Sequence, residues 1–387
     1  MSEFDSRRIH VGYDREAFCS QTIGGVSRYF SSIMDAFLDR PELGIDVDVL
    51  FSRSINEHLS LNLCRRIEPR TSRELLLLSV RGMNRFGNQG LRNRLLAAIG
   101  GPIGASHELD IIHVTGFSPQ PRDLVPGVPV AVTIQDLIPQ LMPEYWKGWN
   151  PQQGRDTVIK SASIIFVPSE VTKSNLLQVE GKLKCEVRVV SHGVDLDVFT
   201  VEKGSQDPQI VDFPYVLFVG RRSRYKRFDL LLRAVSQVRS RGLDIGLVIA
   251  GGGRLSRGEK SAVLDVLPRE RFLQLSPSDL ELAALLRHAE GLCLPSEAEG
   301  FGLPILEAFA CGCPCVLTDI PVFREVAGES ALFFTLGDED SLAENLMRVA
   351  SDVQVQRNLA NAGVEHAAGF GWQHAAEALA SGYRSVL

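Results

Sequence analysis

No run approaching eighteen apolar residues occurs in this 387-residue chain, so no membrane-spanning helix is expected. The stretch from Met1 to Arg8 is polar and charged with no apolar core behind it, so no secretory leader is expected either. Basic charge is not in excess. Forty-one Lys and Arg stand against 47 Asp and Glu, a net charge of −6, which speaks against a general nucleic-acid binder. Cysteine is sparse and unpatterned: Cys19, Cys64, Cys185, Cys293, Cys311, Cys313 and Cys315 are odd in number and lack framework spacing. That suggests reduced thiols and a cytoplasmic setting. Cys311-x-Cys313-x-Cys315 has no His or further Cys nearby to complete a four-ligand set, and Gly312 and Pro314 interrupt it. It reads as a helix end feeding a strand, and no metal is expected. No G-x-G-x-x-G fingerprint is present, which weakens a dehydrogenase reading. Internal repeats and low-complexity segments are also missing.

What remains is ordinary soluble composition, 44% hydrophobic and 23% charged, in a chain too long for one core. Short apolar runs alternate with helical patterns, the rhythm of parallel α/β domains. In the first half, strands are expected at Ile9–Tyr13, Val47–Phe51, Asp110–His113, Val128–Ile134, Ser163–Val167 and Val187–Val190. Glu202 to Pro214 is polar, carries Gly204, Pro208 and Pro214, and reads as a linker. A second series follows: Tyr215–Val219, the helix from Phe228 to Val238, Ile245–Ala250, Phe272–Leu275, the helix Leu280–His288, and Gly291–Leu294. The tail from Ser341 to Leu387 reads as three helices, the last starting near Trp372.

The stretch Pro295 to Pro314 concentrates the chemistry. A glycine-rich turn, Glu299-Gly300-Phe301-Gly302, leads into a helix opened by Leu303-Pro304 and carrying Glu307. Amide N–H groups at a helix start attract anions, and flanking carboxylates accept hydrogen bonds from sugar hydroxyls. Phosphate on the backbone and hydroxyls on the acids is one reading. Taken alone, the same stretch is also a helix with an acidic start after a tight loop. Gly24-Gly25 follows the first strand and precedes a helix, a phosphate-ready unit that is equally an ordinary βα turn. Gly220-Arg221-Arg222-Ser223-Arg224-Tyr225-Lys226-Arg227 places cations in a first βα loop, at the carboxyl end of a strand where ligands of such domains bind. Arg65 to Arg94 holds eight arginines among apolar residues. That suits an anionic bilayer face, or else is a solvated helix face.

E-G-F-G-L-P-x-L-E-A-x-A-C-G-x-P resembles the signature of the large retaining nucleotide-sugar glycosyltransferase family typified by sucrose synthase and bacterial polysaccharide mannosyltransferases. The Q-x-x-G-G-x-S-R-Y segment at Gln21 to Tyr29 and Ser191-His192-Gly193-Val194-Asp195 resemble it too. The resemblance implies an α/β, GT-B architecture: two Rossmann-like doubly wound domains facing a central cleft. Residues 1–200 would be the acceptor-side domain, with a final helix at about 372–387 crossing back to it, and 201–371 the nucleotide-sugar-binding domain. It implies that Arg221 and Lys226 bind the diphosphate with the Gly24-Gly25 loop, that Glu307 binds the ribose, and that Glu299 binds the donor sugar. Gly220, Gly251, Gly300, Phe301, Gly302 and Leu303 complete the donor site. Arg221, Lys226 and Glu299 are the expected catalytic residues: Arg221 and Lys226, with the Gly24-Gly25 and helix-start amides, would stabilise the leaving diphosphate, and no metal or cofactor is expected. Arg222, Arg224 and Arg227 are expected to be solvated, and His192 to be structural.

Relatives usually carry His before Asp136, whereas this chain has Gln135, which cannot titrate. Gln135, Asp136 and Tyr145 are expected on the acceptor or sugar side. The implied activity is transfer of a hexose to a glycan or lipid-linked acceptor in cell-surface polysaccharide synthesis. GDP-mannose is the favoured donor and a UDP-hexose the second. The protein would be cytoplasmic, touching the inner membrane face through Arg65–Arg94. The rival readings are a sugar-nucleotide epimerase of the same architecture, which would need titratable cleft residues, and a catalytically silent sugar-nucleotide-binding subunit.

Overall fold

The computed structural model describes residues 7–20, 24–50, 108–116, 124–146, 154–202 and 208–387, with the backbone alone at 19 and 20. The chain divides into two compact units. Unit 1 is Met1–Pro168, Thr172–Ser191 and Trp372–Leu387; unit 2 is Ser169–Val171 and His192–Gly371.

Unit 1 is built on strands β1 (Ile9–Tyr13), β2 (Ile45–Val49), β3 (Ile111–Val114), β4 (Val130–Thr133), β5 (Ile164–Val167) and β6 (Glu186–Val189). All pair in parallel, in the order β2-β1-β3-β4-β5-β6. β3, β4 and β5 read Ile-Ile-His-Val, Val-Ala-Val-Thr and Ile-Ile-Phe-Val and are buried along their whole length. That is why these strands are near-continuous apolar runs and not alternating ones. The helix Gly25–Asp39 buries Tyr29, Phe30, Ile33, Met34 and Phe37 on one side, at helical spacing. The final helix, Trp372–Arg384, buries Trp372, Ala375, Ala376, Leu379, Ala380 and Tyr383. It packs on the helix Gly25–Asp39: Trp372 meets Tyr29 edge to ring with centroids 5.9 Å apart, and the Tyr383 and Phe37 rings lie tilted with centroids 6.2 Å apart.

Tyr383 also reaches into the sheet. Its hydroxyl sits 2.5 Å from His113 Nδ1 and 2.8 Å from the Tyr13 hydroxyl, while His113 Nε2 lies 2.8 Å from Thr133 Oγ1. Burial pushes the His113 imidazole down to about 3, so it is neutral in the folded protein. Buried polar groups of this kind persist because each finds a partner.

Unit 2 repeats the plan with β7 (Tyr215–Val219), β8 (Gly246–Ala250), β9 (Phe272–Leu275), β10 (Gly291–Leu294), β11 (Cys315–Thr318) and β12 (Leu332–Phe334). The order is β12-β11-β10-β7-β8-β9, again all parallel. Period-two alternation divides the strand residues between two cores. Leu217, Val248, Leu292, Leu294 and Leu317 pack with Ile305, Leu306 and Phe309 of the helix Leu303–Ala310. Val216, Phe218, Leu247, Ile249, Cys293 and Val316 pack with the helices Phe228–Ser240 and Glu339–Ser351. Helices therefore cover both faces, as a doubly wound sheet requires.

The chain enters unit 2 at His192, ahead of the polar stretch expected as the linker. The reason lies in packing. Val194 pairs with Gly371 in a parallel bridge, its N–H donating to Phe370 O at 2.8 Å, and Phe199 is buried in the unit 2 core. The tail forms the three expected helices, Glu339–Ser351, Val353–Ala367 and Trp372–Arg384. Among the described residues no helix is long and apolar enough to cross a membrane. The arginine-rich stretch, Arg65–Arg94, lies outside the described residues.

Candidate functional site

In unit 2 the first strand of the series, β7, lies beside the fourth, β10, and the order runs outward from that pair in both directions. This is the topological switch point, where loops leaving adjacent strands go to opposite faces and leave a crevice at the carboxyl edge. The loop after β7 is Gly220–Arg227 and the loop after β10 runs from Pro295 to Gly302. The sequence-expected Lys226 and Glu299 meet there, Nζ to Oε1 at 2.5 Å. Their side chains are 17% and 12% exposed, so water reaches them but does not surround them. Ser296, fully buried, donates its hydroxyl to the same Glu299 oxygen at 2.8 Å.

The two loops are joined a second time. The Glu297 N–H donates to Tyr225 O at 2.7 Å, and the Arg227 guanidinium donates to Glu297 Oε1 at 2.8 Å. Arg227 itself sits at φ 45, the left-handed region that side chains rarely adopt. It closes the 3-10 turn Arg224–Lys226 and opens the helix Phe228–Ser240. Arg227 is thus not solvated as expected: its guanidinium bridges the loops, and the geometry turns Lys226 toward Glu299.

Gly302, at φ 104, ends the second loop and caps the helix Leu303–Ala310, with Pro304 in its first turn. Only glycine accepts this backbone without strain. Phe301 is buried against the His192 ring, with centroids 4.6 Å apart, which gives His192 a packing role. Burial pushes the His192 imidazole down to about 3. The Ser169 hydroxyl donates to Gly300 O at 3.1 Å and steadies the turn. Glu307 is only 3% exposed, within the helix. The two expected carboxylates therefore differ: Glu299 is paired with a cation in a loop, and Glu307 is buried along the helix.

Gly220 and Gly251 end β7 and β8. The Gly220 N–H donates to Ala250 O at 2.9 Å, and a Cβ on Gly251 would lie 3.8 Å from the Gly220 nitrogen. Arg221, next in the loop, is exposed, as is Arg224. Arg222 departs from expectation. Its side chain is 3% exposed and paired with Glu259 at 2.8 Å, because the guanidinium turns under the Gly251–Arg254 loop and away from solvent.

In unit 1, β1 and β3 are neighbours among the described strands. Gly24 and Gly25 follow β1 and open the helix Gly25–Asp39. Gly24 has φ 178, extended backbone open to any residue, and its carbonyl accepts from Arg28 N–H and Ser27 Oγ, both at 3.0 Å. Gln135 and Asp136 follow β4; Asp136 Oδ1 accepts from the Ile138 N–H at 3.0 Å and starts the helical turn Ile138–Leu141. Tyr145 lies half-buried in the turn Pro143–Trp146.

Sequence reasoning missed Asp14. It is buried directly after β1, accepts from the Thr115 N–H after β3 at 3.1 Å and from the Thr115 hydroxyl, and accepts from the Glu16 N–H at 3.2 Å. Burial, with the nearby Glu16 charge, pushes its carboxyl up to about 7 against the pull of the Thr115 hydrogen bonds. An acidic residue immediately after an apolar strand is the signal that could have found it.

Cys293, Cys313 and Cys315 are buried, and burial raises their thiols. Among the described residues no group of three or more His, Cys, Asp or Glu side chains is placed to hold a metal ion.

Comparison with known proteins adds to this geometry. Residues 202–366 match the family model for glycosyl transferases group 1. The chain is 31% identical over 248 residues to the D-inositol 3-phosphate glycosyltransferase of Corynebacterium jeikeium, covering 59% of each chain. The chain thus spans about three fifths of the length of that relative. With the protein of that name from Paenarthrobacter aurescens it is 26% identical over 403 residues, 94% of this chain and 93% of the relative. In structure it resembles the sucrose-phosphate synthase of Thermosynechococcus elongatus (TM-score 0.67, 18% identity, 98% of this chain and 99% of that one). It also resembles Anabaena HepE in complex with UDP and glucose (TM-score 0.69, 18% identity, 98% and 100%). Two parallel Rossmann-like sheets and full-length likeness to these neighbours lead to one statement: the chain has the GT-B fold, and its residues 202–366 match the model for glycosyl transferases group 1.

Proposed function

We propose that this protein is a retaining glycosyltransferase that moves a hexose from a nucleoside-diphosphate sugar to a hydroxyl acceptor. The observation that carries it is the Lys226–Glu299 pair beside the start of the helix Leu303–Ala310, at the switch point of a group 1 domain. Negative charge grows on the diphosphate as the glycosidic bond breaks. Lys226, Arg221 and the amides at the helix start are the groups suited to stabilise it, and charge fixed in advance is often the largest catalytic contribution. Because Glu299 holds Lys226 in the resting site, the ammonium is already oriented before the donor arrives. On donor binding Glu299 would turn its second oxygen to sugar hydroxyls, and Glu307 would accept from the ribose. By the family motif, Gly24 and Gly25 are assigned to the diphosphate, and Gln135, Asp136 and Tyr145 to the sugar or acceptor. These cations and the helix dipole make a divalent metal unnecessary in this proposal. The leaving phosphate takes the acceptor proton, so no side chain is assigned as general base.

The donor base and acceptor follow from weaker signals. The Gly24-Gly25-Val26-Ser27-Arg28-Tyr29 segment favours GDP-mannose and a glycan or lipid-linked acceptor. UDP-hexose is the competing donor, and the complex with UDP and glucose seen for Anabaena HepE supports including it. The relatives named for D-inositol 3-phosphate make that alcohol the first free acceptor to assay.

A thermal-shift titration with GDP, UDP, ADP and their hexose conjugates, with and without EDTA, tests the donor assignment. A ligand that binds only the folded state at a hundred times its Kd adds about 2.7 kcal/mol of stability. A rise with one base, unchanged by EDTA, is the expected result. If none of the nucleotides shifts the transition, the donor site as assigned is wrong. Product anomeric configuration, read by proton NMR, then tests retention.

A further inference from the structure

We infer that Arg222 is a positioning residue for the donor site: its guanidinium holds the Gly251–Arg254 loop against the backbone of Gly220 and Arg221. The inference rests on the donor-site reading of unit 2 and adds to it a residue that touches neither phosphate nor sugar.

One side chain makes the whole connection. Arg222 Nε donates to Glu259 Oε1 at 2.8 Å. One terminal nitrogen donates to Gly251 O at 3.1 Å, and the other lies 3.2, 3.1 and 3.3 Å from the carbonyls of Gly252, Gly253 and Arg254. A planar fork of five N–H donors suits such a fan of acceptors, and an ammonium does not. Glu259 is itself fixed by a reciprocal capping box with Ser256 at the start of the helix Arg257–Val266. The anchor is therefore rigid on both sides.

The loop it gathers is three consecutive glycines at φ 81, 69 and 74. Such a run has wide conformational freedom when unrestrained. Here it is compressed against the first βα loop. A Cβ on Gly252 would fall 2.6 Å from Gly220 O, 2.6 Å from the Arg222 guanidinium and 3.0 Å from the Arg221 Cα. The backbone that carries Arg221 thus rests on the glycine loop, and Arg222 is the tie between them. With four carbonyls drawn to one cation, the N–H groups of the same peptide units turn the other way. Gly252, Gly253 and Arg254 are exposed, so water can take over their carbonyls if Arg222 is truncated. The sheet beneath does not depend on the clamp, because β7 and β8 pair over their full lengths.

The test uses the full chain with Arg222→Met, Arg222→Lys and Glu259→Gln. Amide hydrogen exchange is read over residues 251–255 and over β7 and β8, and binding of UDP and GDP is read by calorimetric titration. Arg222→Met is expected to speed exchange of the loop amides about tenfold or more, with strand exchange and melting temperature unchanged. Affinity for the bound nucleotide is expected to fall about tenfold, the scale of one lost charge-assisted hydrogen bond. Arg222→Lys should restore only part of either effect, and Glu259→Gln should give the smallest, since the amide oxygen still accepts from Nε. In turnover, the donor KM should rise while kcat at saturating donor stays close to wild type.

Wild-type loop exchange in Arg222→Met would overturn the clamp. A loosened loop with undiminished nucleotide affinity would overturn the positioning role. Loosening of the strands as well would make Arg222 a residue of the fold, and would overturn the inference in another way. If the wild-type protein binds neither nucleotide, the donor-site reading fails and the positioning role fails with it, while the exchange data still report on the clamp.

Discussion

The carboxyl edges of the two sheets carry opposite chemistry on the same scaffold. After β1 and β3 of unit 1, the loops are joined by a buried carboxyl, Asp14, held by Thr115. Deeper in that unit, His113, Tyr13, Tyr383 and Thr133 form a closed polar network. After β7 and β10 of unit 2, the loops are joined by charges: Lys226 to Glu299 and Arg227 to Glu297, with Arg222 to Glu259 beside them. A buried carboxyl or neutral network fixes loops at little cost in flexibility elsewhere but offers an incoming anion nothing. Ion pairs within reach of water can exchange partners when a ligand arrives. The contrast teaches that the same parallel scaffold can join its edge loops by a buried carboxyl in one unit and by ion pairs in the other.

The largest expected effect falls on the charged edge. Lys226→Ala should cut transfer by about 10² to 10³, the usual result of removing one preorganised electrostatic group, with the fold intact by circular dichroism. Glu299→Gln on that background should add far less than it costs alone, because the two act as a pair; steady-state rates of the double-mutant cycle measure this. Glu307→Ala should also abolish transfer with the fold retained. Full activity in that variant would remove Glu307 from the site.

On the other edge the effects are on stability. Tyr383→Phe removes the hydroxyl between His113 and Tyr13 and should destabilise unit 1 by about 1–3 kcal/mol in urea, without changing nucleotide affinity. A loss of affinity equal to that of Lys226→Ala would end the distinction between the edges.

The pH dependence sharpens the comparison. Asp14 holds its proton to about pH 7 in the folded chain but to about 4 when unfolded. Between those values the folded state binds more protons, so this group's contribution to stability falls as pH rises. His113 has the opposite sign. It is neutral down to about 3 when folded and titrates near 6.5 when unfolded, so its contribution falls as pH drops through that window. Between about pH 4 and 6.5 the two oppose each other. Asp14→Asn keeps an acceptor for Thr115 and should unmask the His113 slope, up to about 1.4 kcal/mol per pH unit, with higher stability than wild type at pH 8. Urea midpoints across that range report both signs.

The smallest effect concerns Arg227. Arg227→Ala loses the Glu297 pair and keeps the left-handed backbone, whereas Arg227→Gly loses the pair and relieves the backbone. The glycine variant should be more stable than the alanine variant by about 1 kcal/mol. Equal stabilities would mean that the backbone at φ 45 carries no strain.

Much of this was readable before folding was considered. Strand and helix positions followed from apolar runs and helical spacing, with ends displaced by a residue or two, as at β2 and β6. Lys226 and Glu299 could be assigned to one donor site only through the family's motif, since they lie far apart in the chain, and their ion pair is a finding of the structure. Arg222 and Arg227 looked like solvated members of a basic run because composition cannot say where a guanidinium points. Asp14 and Thr115 were invisible as partners, because only parallel pairing across β1 and β3 brings them together.

By itself the sequence determined the parallel α/β class, the two series of strands and helices, and the glycine-to-helix turn at Gly302, because periodicity and backbone sterics act locally. Only the tertiary structure decided which loops meet. Strand order puts β10 beside β7, and so Glu299 beside Lys226. The final helix returns to unit 1 because Tyr383 finds its partners there. The physical reason is that hydrogen bonds and ion pairs act over a few ångströms, and which groups come that close is set by how the strands are ordered.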